Sequence, residues 1–200
     1  MSPLQRIAMG LVIVVLSAPL PADPSPAWKQ YDALPDPLGW LLVIAGALAL
    51  ARLDRGFGTV SLLGVLAGVV SVVLWFPQVS HRLENSGAWA ASLPQIAFCL
   101  LLCREIGVRA GSMTPPDRQA ERRFGLLVWG FGLVAVLPVI ALGGGVVQLQ
   151  NVTAVVSTLV NIALIWSLFG FHRREWLGGP GPVEVPPRRP GTQGSRPPSQ

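Results

Sequence analysis

Gln95, Thr158 and Asn161 lie inside apolar stretches of the chain. Amides and hydroxyls are costly there unless something hydrogen-bonds them. Such groups do not transfer protons at neutral pH. They donate and accept hydrogen bonds, so their chemistry is recognition. Asn151, Thr158 and Asn161 fall roughly on one helical face, and Asn161 is near the middle of its run. Gln95 follows the helix-disturbing Pro94, and Ser92 lies on the same run. One reading is a small polar cavity formed by Gln95, Thr158 and Asn161, sized for a solute or a lipid headgroup. The plainer reading is that these groups tie helices together, each contributing roughly 0.6–2 kcal/mol.

Groups with stronger chemistry are missing from the same stretches. No Asp, Glu, Lys, Arg or His lies in the middle of any apolar run. Proton relays, ion-coupled transporters and intramembrane metalloproteases depend on such groups. No HExxH, P-loop or GxSxG pattern occurs. The expectation is therefore a protein that is not an enzyme and needs no cofactor. His81 and Glu84 share a loop at helical spacing, but two residues do not make a metal site. Cys99 and Cys103 are four apart on one helix face and out of bridging geometry, and two thiols alone make a poor zinc site. They read as buried thiols, and no metal is expected.

The elements that must position these residues are membrane spans. The chain has 200 residues, 51% hydrophobic and 12% charged, too little charge to cover a soluble surface. Apolar runs fall near residues 5–20, 38–53, 57–77, 88–103, 124–142 and 152–171. Each approaches the roughly 20 residues that cross a bilayer. The loops alternate in charge. All fifteen basic residues except Lys29 and Arg82 lie in the start of the chain and in segments 52–56, 104–123 and 172–200. Cytoplasmic loops collect Lys and Arg. The pattern predicts an all-α bundle of six transmembrane helices, with both termini cytoplasmic. The net charge of +5 then fits contact with membrane lipids rather than nucleic acid.

The first run could also be a signal peptide. Cleavage after Ala18 or Ala22 would place Leu16 or Leu20 at the −3 position, which wants a small residue. A retained, short first helix is the reading preferred here; cleavage would leave five spans.

Local signals fill in the bundle. Six prolines between Pro19 and Pro37 keep the first outer loop extended, and Asp36-Pro37 resembles a helix start. The basic turn Arg52-Leu53-Asp54-Arg55-Gly56 makes spans two and three an antiparallel hairpin. Ser61, Gly64, Gly68 and Ser71 form a small-residue stripe on span three, which lets helix backbones approach. Its partner is another helix of the chain, a second copy, or a different membrane protein. Thr114-Pro115-Pro116-Asp117 reads as an N-cap, so helix five should begin near Pro115, with Arg118, Arg122 and Arg123 at the headgroups. Trp28, Trp40, Trp75 and Trp89 should mark the outer interface, and Trp129, Trp166 and Trp176 the inner one. Pro138 should kink span five. Residues 1–177 make one membrane domain, and 178–200, rich in Pro, Gly and Arg, should be disordered.

The stretch Pro35-Asp36-Pro37-Leu38-Gly39-Trp40-Leu41-Leu42-Val43 resembles the start of a span in small multi-pass membrane proteins of actinobacteria. The resemblance covers nine residues. It implies a plasma-membrane protein and carries over no activity. Pro77-Gln78 and Pro94-Gln95 share the dipeptide of the PQ-loop transporters, but they flank one loop instead of recurring at a whole-repeat interval. The function expected first is a non-enzymatic accessory or assembly component. It would contact a membrane partner or a second copy through Gly64, Gly68 and the Arg-rich inner loop. The alternative is a passive or lipid-handling transporter built on the neutral polar residues of spans four and six.

Overall fold

A computed structural model describes residues 1–16, 19–20, 31–32, 36–80, 82–145 and 147–181. Among the described residues seven α-helices follow one another: α1 (Pro3–Val15), α2 (Asp36–Leu53), α3 (Gly58–Leu74), α4 (Pro77–Ser80), α5 (Asn85–Ser112), α6 (Arg118–Gly143) and α7 (Val147–Phe171). The described residues are otherwise short turns and one two-residue antiparallel pairing, Pro19–Leu20 with Tyr31–Asp32. Five helices are long and apolar enough to cross a membrane: α2, α3, α5, α6 and α7. The sixth apolar helix, α1, has thirteen residues and is shorter. At 1.5 Å per residue it reaches about 20 Å, less than the roughly 30 Å hydrocarbon core.

The helices form a ring in chain order. α1 lies on α2, α2 on α3, α3 on α5, α5 on α6, and α6 on α7; α7 then returns to α1. Apolar side chains fill the middle. Leu4, Ile7 and Leu11 of α1 are inaccessible or nearly so, as are Val43, Leu50, Phe98, Leu102, Ile106, Leu164 and Leu168. Trp40 meets Phe98 edge to face across the ring, with centroids 5.5 Å apart. Cys99 and Cys103 are free thiols in the same core.

The tightest seam joins α1 to α2. A Cβ built on Gly39 would lie 2.7 Å from the Gly10 carbonyl oxygen, and one on Gly46 would lie 2.7 Å from the Pro3 carbonyl oxygen. The two backbones touch, which only glycine permits here.

The outside of the ring is apolar. Leu62 and Val69 on α3, Leu126 and Trp129 on α6, and Leu159 and Trp166 on α7 are all exposed. An exposed apolar girdle of this extent is what a lipid-facing surface requires.

One end of the bundle gathers the arginine-rich segments. Arg109 of α5 pairs with Asp54 in the α2–α3 turn, and Asp54 also accepts from Gly56 N–H. Arg174 Nε donates to Asp117 Oδ2 at 3.1 Å, tying the end of α7 to the start of α6. A Cβ on Gly178 would touch both Leu53 and Pro3. The start of α1, the α2–α3 turn, the α5–α6 link and residues 172–181 therefore share one end.

Several expectations are corrected. α5 continues to Ser112 instead of stopping near 103, because Ile106 and Ala110 are buried and no breaker intervenes. α6 begins at Arg118, not Pro115. Asp117, not Thr114, is its cap, accepting from Ala120 N–H at 3.2 Å. Trp40 is a core residue, not an interface anchor. Residues 178–181 are ordered by hydrogen bonds: Gly179 N–H to Arg174 O, and Gly181 N–H to Arg173 O. Trp28, His81, the prolines between 21 and 35, and residues 182–200 lie outside the described residues.

Candidate functional site

The polar residues of α5 and α7 face one another across a cleft walled on its third side by α6. Its volume is about 330 Å³. Gln95 and Ser92 come from α5, and Gln150, Thr153, Ser157 and Asn161 from α7; Phe131, Val134 and Pro138 of α6 supply an apolar wall. Spacings of three and four along α7 place Gln150, Thr153, Ser157 and Asn161 on one stripe. Gln95 and Asn161 are thus brought together as the sequence suggested. Thr158 is not. It is exposed on the outer face of α7, and its hydroxyl donates to the Ala154 carbonyl of its own helix at 3.0 Å.

The hydrogen bonds separate the two readings of these groups. Asn161 Nδ2 donates to Ser157 O at 2.9 Å, and Thr153 Oγ1 donates to Leu149 O at 2.7 Å. Ser92 Oγ donates to Trp89 O at 2.7 Å. Each of these bonds stays within one helix. The Gln95 carboxamide has no partner among the described residues. These side chains therefore do not tie helices together. The Gln95 carboxamide and the second amide N–H and the carbonyl of Asn161 remain for the cleft, while the Thr153 and Ser92 hydroxyls keep only acceptor capacity.

Proline shapes the cleft from α6. Pro138 has no N–H, so the Val134 carbonyl one turn earlier loses its usual helical donor. Trp89 of α5 reaches across to the neighbouring Ala135 carbonyl, with Nε1 at 3.3 Å. Trp89 and Pro138 also border a second space of about 210 Å³, with Asn85 and Ala141, which carries the cleft toward the end opposite the arginine-rich one. In the other direction the nearly inaccessible Phe131 of α6 forms part of its wall. Beyond Phe131 the Phe124 and Phe171 rings meet at 5.5 Å.

Comparison with protein families, curated proteins and solved structures finds no match.

Function is therefore read from the site itself. The small-residue stripe offers no alternative surface. Ser61, Gly64, Gly68 and Ser71 are all buried. A Cβ on Gly64 would lie 3.3 Å from the Phe98 ring, and one on Gly68 would lie 3.1 Å from Ile44 Cδ1. The stripe joins α3 to α2 and α5 of the same chain. Among the described residues no cluster of three or more His, Cys, Asp or Glu could hold a metal.

Sequence reasoning missed Trp89, Thr153, Ser157 and Gln150 as cleft residues. The available signal was the three-and-four spacing that ends on Asn161; Thr158 departs from it by one position.

Proposed function

We propose that the protein is a six-pass plasma-membrane protein, with both termini cytoplasmic, that binds a small neutral polar ligand in the α5–α6–α7 cleft. The ligand class is an uncharged solute or the polar part of a lipid. The protein works without covalent chemistry, as a passive carrier or receptor. The observation that carries this reading is the polar lining of the cleft, where the unpartnered Gln95 carboxamide of α5 faces the α7 stripe that ends on Asn161, whose hydrogen bonds stay within α7. Among the described residues no charged group lines that cleft, so recognition is by hydrogen bonds and shape. An accessory role acting through Gly64 and Gly68 is the weaker reading, because both glycines are covered by the chain's own helices.

Asn161→Leu tests the site. Asn161 bonds only within α7, so its loss leaves the bundle folded. Losing one buried hydrogen-bond group costs ligand affinity about 1–3 kcal/mol, or about five- to hundredfold. Solute flux or lipid transfer in proteoliposomes, with Thr158→Val as the control, reads this out. If both variants behave like the parent, the cleft is not the site.

Orientation follows from the arginine distribution. A cysteine introduced at Ser112 is expected to resist an impermeant thiol reagent in intact cells, and one at Ser25 to react. The reverse pattern would place the termini outside.

A further inference from the structure

The arginine-rich end holds a larger cavity, separate from the cleft. Its volume is about 840 Å³, between the α5–α6 link and the segment after α7. Arg123, Arg173 and Arg174 line it, with Gln119 and the aromatic rings of Phe171 and Trp176. Two carboxylates also border it, and neither cancels all three arginines. Asp117 is engaged by Arg174 Nε and by Ala120 N–H. The Glu175 carboxylate is turned against Gly181. Arg173 Nε donates to the Gly181 carbonyl at 3.0 Å, which fixes the side chain. That bond leaves the terminal N–H groups of Arg173 unpaired among the described residues. Arg174 is steadied over the Phe171 ring at 5.6 Å. Arg123 has no partner among the described residues.

We propose that this cavity binds a phosphate-bearing anion, either a phospholipid headgroup or a free phosphate compound. A guanidinium presents paired N–H donors that match two phosphate oxygens, and two of the three arginines are already positioned before any ligand arrives. The cavity lies where α7 leaves its apolar stretch, at Gly170 and Phe171. The exposed apolar faces of α6 and α7, with Trp129 and Trp166, run away from it along the bundle. A headgroup seated among the arginines would have its acyl chains lying on that face. Basic pockets between spans commonly take anionic headgroups in this way.

The test uses the purified full chain and native mass spectrometry, with phosphatidylglycerol or phosphatidylcholine added at equal concentration. Phosphatidylglycerol should be retained in clear preference, and Arg123→Gln should weaken its retention about fivefold. Arg173→Gln is the second variant and should do the same. Arg104→Gln, at the same end but outside the cavity, should change nothing. Inorganic phosphate at millimolar concentration distinguishes the sources: displacement of the lipid indicates a free-phosphate ligand, and retention indicates the headgroup. Equal retention of both lipids with no displaceable phosphate would overturn the proposal, as would equal losses in Arg123→Gln and Arg104→Gln. None of these readings depends on the α5–α6–α7 cleft.

Discussion

Gly39→Val should destabilise the bundle by about 3 kcal/mol. The added Cβ alone would sit 2.7 Å from the Gly10 carbonyl oxygen and 2.8 Å from Val14 Cγ2. Backbone cannot swing aside as a side-chain tip can, so α1 must lift from α2. Leu4, Ile7 and Leu11 would then lose their neighbours together. Gly64→Ala marks the contrast: its nearest obstacle is the Phe98 ring edge at 3.3 Å, which can tilt. Gly132→Ala should be neutral or stabilising by up to about 1 kcal/mol, since nothing lies within 4 Å and alanine favours the helix. Unfolding by SDS in mixed micelles would rank the three. A Gly39→Val protein as stable as Gly132→Ala would show that α1 does not hold the seam described.

The second large effect is expected from Ala154→Phe. Ala154 lines the cleft and is exposed, so a larger side chain meets open space instead of core. The substitution removes no polar group: Asn161, Ser157 and Gln95 keep every hydrogen bond they have. It takes away volume from a cleft of about 330 Å³. If the cleft houses the ligand, affinity should fall at least about tenfold while SDS resistance stays as in the parent. The pair Asn161→Leu and Ala154→Phe thus removes hydrogen bonding and space in turn. Flux that survives Ala154→Phe at the parental rate would refute the cleft as the route or the binding place.

Much of this architecture was legible in the residues, and the physical reasons differ by element. The apolar runs of α2, α3, α6 and α7 are long because a bilayer imposes their length, so counting residues finds them. The polar extension of α5 is invisible to that count. From Arg104 to Ser112 the helix is held by Ile106 and Ala110 against the bundle, a tertiary cause that hydropathy does not register. Trp40 shows the same limit. A tryptophan near a span edge reads as an anchor until Phe98 of another helix covers it. The GxxxG pair was visible and its partner helices were not, because spacing tells which face is small and not what lies against it. Gly10, Gly39 and Gly46 carry the closest backbone approach, yet they stand singly on two helices and form no motif. In the cleft, Gln95 and Asn161 were found because amides are rare in spans. Thr158 was misplaced because its hydroxyl is satisfied by its own backbone and can therefore face lipid.

The ring joins helices that are neighbours in sequence everywhere except at one place, where α7 meets α1. Five of its six junctions can form as soon as the second member of each pair is made. The last must wait for the whole chain, and it joins the segments farthest apart along it, which makes it the slowest to find. Waiting carries little penalty in a bilayer, since the open flank of α1 can rest against acyl chains as apolar as the helix that will replace them. The close fit of Gly10 on Gly39 gives α1 a fixed berth on α2 during that interval. Closure of this ring thus has a built-in order in time, and its final event is the meeting of α1 with α7.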